Sequence, residues 1–76
     1  MIKAHDRVVL LAPVAGDCLE AGDVGTVVHV YSDGGAFEIE FTTLDGGTAA
    51  VATVAAANVR PVTSHEITHA RELTTP

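Results

Sequence analysis

Residues 36 to 42 alternate without a break: Phe37, Ile39 and Phe41 are large and apolar, and Glu38 and Glu40 between them are charged. Period two is the period of an extended strand, with one face in a core and the other in water. A slip of one residue would bury both carboxylates, so the pattern fixes register as well as strand character. On either side stand Ser32-Asp33-Gly34-Gly35 and Leu44-Asp45-Gly46-Gly47, and Asp-Gly suits the positive φ values of a type I′ hairpin turn. Residues 26–31 and 48–54 read as the strands before and after. The inward set is expected to be Phe37, Ile39 and Phe41 together with Val28, Val30 and Val51.

Val8-Val9-Leu10-Leu11 reads as a first strand closed by Pro13. A loop follows, ending in Ala21-Gly22-Asp23-Val24-Gly25, whose glycines and aspartate suit a tight turn. Ala55-Ala56-Ala57-Asn58 suits a single helical turn, and Val59-Arg60-Pro61-Val62 a short closing strand with Pro61 at an edge. The expectation is an all-β chain: a small five-stranded antiparallel SH3-like barrel over residues 1–62, with an open or swapped sheet as the alternative. Residues 63–76 form a C-terminal tail of different character. Thr63 and Glu66 match a capping box, and Ile67, Ala70 and Leu73 recur at helical spacing. So short a helix is marginal alone in water, so the tail is expected as a short helix docked on the barrel, or disordered.

Seventy-six residues hold one domain with no room for a second core. A chain this short buries only about 60% of the surface its unfolded form exposes. Its apolar residues are mostly Val and Ala, with Phe37, Phe41 and Tyr31 the aromatics, so the core is light in volume. Residues 8–11 and 49–54 are apolar at consecutive positions, and one barrel encloses only one face of a strand. Either a homodimer or the tail should cover the other face. A lone Cys18 cannot form an internal disulfide. The polar start resembles no secretory leader, and no segment approaches the ~20 apolar residues of a membrane span. A cytoplasmic protein without membrane contact is expected. Four Lys and Arg stand against ten Asp and Glu, a net charge of −6. Phosphate binding needs clustered cations, so nucleic acid is disfavoured as a partner.

His65-Glu66-Ile67-Thr68-His69 is an HExxH motif. On a helix, histidines four apart share a face and can hold a zinc, with the glutamate activating a bound water. The five residues resemble the zincin signature of thermolysin-like peptidases, which implies His65 and His69 as ligands. A catalytic zinc also needs a third ligand and a cleft. Glu72 is the candidate one turn on, and the chain ends seven residues after His69. No metal, cofactor or catalytic residue is therefore assigned, with His65, His69 and Glu72 kept as metal candidates. His29 reads as a half-exposed strand residue, and His5-Asp6 as a polar strand entry. Asp17 and Glu20 surround Cys18 with negative charge, which disfavours a thiolate nucleophile.

Ala21-Gly22-Asp23-Val24-Gly25-Thr26-Val27-Val28 resembles the KOW element of SH3-like barrels. KOW domains that hold RNA usually add basic residues, which are missing here. Over residues 1–62, the Asp-Arg-Val-Val-Leu opening, Phe-Glu-Ile-Glu-Phe, Leu-Asp-Gly-Gly-Thr and the Val-Arg-Pro-Val close resemble a widespread group of short bacterial proteins. That group is catalogued as a domain of unknown function. The resemblance implies an SH3-like fold and carries no catalytic residues. The leading expectation is a non-catalytic interaction or accessory module, antitoxin-like or enzyme-associated, with an unidentified protein partner. A KOW-like nucleic-acid binder and a zinc hydrolase built on the tail are the rivals.

Overall fold

The computed structural model describes residues 1–73. Five antiparallel strands form one sheet in the order β4-β3-β2-β1-β5. They are β1 (Arg7–Leu10), β2 (Val24–Val30), β3 (Ala36–Thr42), β4 (Thr48–Ala55) and β5 (Val59–Pro61). Short 3-10 turns occur at Ala15–Asp17 and, as expected before the last strand, at Ala56–Asn58. Among the described residues no ladder joins β4 to β5, so the sheet curls without closing into a barrel. The all-β class stands; the closed barrel does not form.

The alternation in β3 is realised in full. Phe37, Ile39 and Phe41 are buried, and Glu38 and Glu40 lie on the outer face. The neighbours that meet them differ in part from expectation. Ile39 pairs with Val27 on one side and Ala52 on the other, and Phe37 pairs with Val30 and Val54. Val28 and Val51 are instead exposed, at 44% and 49%. In β2 a bulge between Val27 and His29 adds one residue, so Val27 and Val30 both face inward although three positions apart. In β4 the register brings Ala50, Ala52 and Val54 inward, which sends Val51 and Thr53 to the outer face. Leu10, Ile39, Val8 and Val27 are the most completely buried side chains of the resulting core.

Gly25 is required by close approach. A Cβ there would lie 2.5 Å from Ile39 Cγ2 and 2.8 Å from Phe41 Cε1, far inside van der Waals contact. The two hairpins are not of type I′. Asp33 and Asp45 keep negative φ, and the left-handed residues are Gly34 (φ 71) and Gly46 (φ 95). The aspartates act through their side chains, which accept from the amides of Gly35 and Gly47. An Asx-type bond offers the backbone this wider turn in place of a two-residue one.

The tail corrects a second expectation. Residues 63–73 contain no helix. Glu66 N–H donates to the Thr63 carbonyl, and the Thr63 hydroxyl bonds the Glu66 carboxylate. The capping-box residues thus make one turn, and an extended path follows it. That path supplies a cover for the outer face. Val9 is only 7% exposed although it lies outside the core cluster. It lines a cavity of about 190 Å³ with Glu66, Ile67, Thr68 and His69, so this stretch of tail runs over it. Thr74, Thr75 and Pro76 lie outside the described residues.

Candidate functional site

Asp23 is the one buried charged residue among those described, 8% exposed. The chain places it at the end of a turn in which Gly22 takes φ 96, a position that suits glycine. One carboxylate oxygen, Oδ2, accepts from the Glu20 amide at 2.9 Å and from Arg71 Nη2 at 2.6 Å. The other, Oδ1, accepts from Arg71 Nε at 2.8 Å and meets His69 Nε2 at 3.2 Å. Arg71 Nη2 also donates to the carbonyl of Cys18, which sits in the left-handed region at φ 58. A guanidinium held by both oxygens of a carboxylate and by a carbonyl is strongly fixed in direction. The Arg71 hydrogen bonds hold the Asp23 carboxyl below its ordinary range, against the opposing effect of burial. Reciprocally, Asp23 holds the proton on Arg71 more tightly than usual.

A cavity of about 620 Å³ opens beside this latch, between tail and sheet. Leu19, Phe41, Leu44 and Ala49 bound it on the sheet side, and Ala70 and Leu73 on the tail side. Leu44 is 93% exposed at its rim.

The HExxH residues are dispersed. His69 turns to Asp23, and its ring lies over Gly22, where a Cβ would come within 3.3 Å of Cε1. Glu66 pairs with Arg60 at 2.7 Å, which holds its carboxyl below the ordinary range. His65 and Glu72 are exposed. Without a helix, His65 and His69 lack the shared face that the motif needs. Among the described residues no group of three or more His, Cys, Asp or Glu is arranged to hold a metal ion. His29 is exposed on the bulge, edge-on to Tyr31 with ring centroids 4.8 Å apart. His5 donates its backbone N–H to Val27 at the entry to β1.

On the outer face, Glu38 Oε1 accepts from Tyr31 at 3.0 Å and from Thr53 at 2.6 Å. The Thr53 bond is the larger of the two in keeping the Glu38 carboxyl below its ordinary range. Glu40 pairs across strands with Val51 and accepts from Thr48 at 2.8 Å. Beyond Val51 the sheet ends. β4 is an edge strand of eight residues, Thr-Ala-Ala-Val-Ala-Thr-Val-Ala, with no charge and no proline. The opposite edge, β5, is three residues long and carries Arg60 and Pro61.

A family model for a domain of unknown function, DUF4926, matches residues 4–61. The chain belongs to this family. No curated protein and no solved structure matches it. The DUF4926 region includes the whole sheet, Asp23 and the Cys18 carbonyl; His69 and Arg71 lie beyond it. Sequence reasoning treated Asp23 as a turn residue and gave Arg71 no role. Nothing local could join them, because they are 48 positions apart. Asp23 stands in the Gly-Asp-Val-Gly turn, and nothing in that local pattern sets it apart from the exposed turn residues Asp33 and Asp45. Among the described residues no helix of the DUF4926 region or the tail is long and apolar enough to cross a membrane.

Proposed function

We propose that this chain is a non-catalytic interaction module that recruits a protein partner by adding a strand to the β4 edge. The observation that carries the proposal is the character of that edge. Sheets expose long edges at a risk, and edge strands are commonly blunted by charge, proline or shortness. β5 has those features and β4 has none of them. An uncharged edge of Ala, Val and Thr that includes the exposed Val51 suits strand addition, where backbone groups give affinity and alternate side chains give specificity.

A second copy of the chain meets this requirement. The chain carries −6, so most self-contacts would bring like charges together. Self-pairing of β4 would place no carboxylate opposite another on that strand. The non-catalytic half of the proposal is supported by the engagement of Asp23, Glu38 and Glu66 in structural hydrogen bonds. A nucleic-acid partner is disfavoured further because Arg60 and Arg71 are paired with carboxylates.

Val51→Lys tests the proposal. The new ammonium would stand opposite Glu40, which preserves the fold, while charging the edge. Affinity capture from the native host, native chain against variant, should recover a partner or a second copy with the native chain alone. Equal recovery with both would remove β4 as the docking edge.

A further inference from the structure

We propose that the strand added at β4 belongs to a basic partner, which carries lysine or arginine at the two positions facing Val51 and Thr53. The proposal rests on the strand-addition reading and names the chemistry of the occupant.

The hydrogen-bond polarity of the β3–β4 ladder carries it. The Ala56 amide donates to the Gly35 carbonyl at 2.9 Å, one step beyond the first ladder pair, Ala36 with Ala55. Hydrogen-bonded and non-hydrogen-bonded pairs alternate along an antiparallel ladder. Counted from Gly35 and Ala56, the pairs Glu38–Thr53 and Glu40–Val51 are both non-hydrogen-bonded. The amides and carbonyls of Thr53 and Val51 therefore point away from β3, to the open edge. A strand laid along that edge bonds to these two residues, and the residues facing them project onto the same outer face. Glu38 and Glu40 stand on that face, each in one cross-strand row with an edge residue.

The carboxylates in those rows are held in place and not neutralised. Glu38 Oε1 accepts from Tyr31 and, at 2.6 Å, from the Thr53 hydroxyl, which draws it toward β4. Glu40 Oε2 is held at 2.8 Å by Thr48, also on β4. Among the described residues the second oxygen of each takes no hydrogen bond. The ion pairs of those residues use Glu20, Asp23 and Glu66, so neither glutamate is paired with a lysine or arginine. Strands lie about 4.8 Å apart, so an added strand is two spacings from β3. Only the short side chains of Val51 and Thr53 stand between, and a lysine or arginine is long enough to cross them. Opposite charges in one row of a sheet favour pairing, and the net charge of −6 attracts a cationic strand. A second copy brings only an uncharged β4, so a basic strand displaces self-pairing.

The test uses the full-length chain and two short fluorescent peptides, one alternating valine with lysine and one alternating valine with threonine. The lysine peptide should bind about fivefold or more tightly than the threonine peptide. Glu38→Gln/Glu40→Gln keeps acceptors for Tyr31, Thr53 and Thr48, and should bring the two affinities together. Asp17→Asn/Glu72→Gln removes the same charge away from β4 and should preserve the preference. An equal loss of preference in both double variants would show general attraction to an acidic chain and overturn the proposal. Equal binding of the two peptides by the native chain would overturn it too, while leaving strand addition intact. Native affinity of the lysine peptide for Val51→Lys, or binding of neither peptide at millimolar concentration, would remove both readings. If Glu38→Gln/Glu40→Gln does not fold, the lysine peptide should shift the Val51 and Thr53 amide resonances of the native chain. Unmoved resonances there would sink the proposal as well.

Discussion

Arg71 binds both carboxylate oxygens of Asp23, at 2.8 and 2.6 Å, and by doing so ties the C-terminal tail to the turn that precedes β2. The same turn meets the His69 ring over Gly22, and the tail between Glu66 and His69 runs over Val9. One ion pair thus fixes a segment that has no regular structure of its own and covers an apolar residue that the single core cannot reach.

Asp23 makes the chain acid-sensitive in a defined direction. Its carboxyl is held below the ordinary value of 3.8, chiefly by Arg71, so the folded state favours the ionised form. The stabilisation is present in full above the ordinary carboxylate range and is lost as the pH falls through the depressed value. Asp23→Asn should lower the melting temperature at neutral pH, and the gap to the native chain should close on acidification below 3.8. A gap that stayed constant through that range would show that the ion pair contributes nothing.

Ile39 is fully buried between Val27 and Ala52, whereas its neighbour Glu38 is on the outer face. Ile39→Ala should cost about 2–5 kcal/mol in denaturant unfolding. Glu38→Ala should cost clearly less, since it loses only exposed hydrogen bonds. Similar losses for the two would contradict the facing of β3.

Gly25 faces the Ile39 and Phe41 side chains with no room for a methyl group. Gly25→Ala should destabilise by about 1–3 kcal/mol through overpacking. The same change at Gly16, where a Cβ meets nothing within 4 Å, is the control and should be close to neutral.

Self-association through β4 should appear in light scattering as a dimer at high micromolar concentration. Val51→Lys should return the mass to that of a monomer. A monomeric native chain at that concentration would leave the edge to a different protein.

Zinc should leave the melting temperature essentially unchanged, because His69 faces Asp23 and Glu66 faces Arg60. No zinc-dependent cleavage of an unstructured protein substrate is expected. Cleavage that disappeared with Glu66→Gln would revive the peptidase.

The strands were legible because their signals are local. Phe37-Glu38-Ile39-Glu40-Phe41 states its own period, and the two Asp-Gly-Gly turns bound it within a few residues. From these, the sequence alone determined an all-β chain, the inner face of β3 and a short proline-limited last strand. It could not determine the partners of that inner face. One extra residue at Val28 rotates the end of β2, and only the pairing with β3 reveals it. Nor could it find the conformation of the tail. Ile67, Ala70 and Leu73 have helical spacing, but an isolated helix of that length gains little in water. Extended residues 66–71 gain the cover of Val9 and the bonds of Arg71 and His69 to Asp23 instead. Those groups lie 46 and 48 positions apart, and their attraction exists only after the sheet has brought the turn and the tail together. Periodicity is a property of neighbours in the chain, so sequence determined the strands; the latch is a property of neighbours in space, so the tertiary structure decided the site.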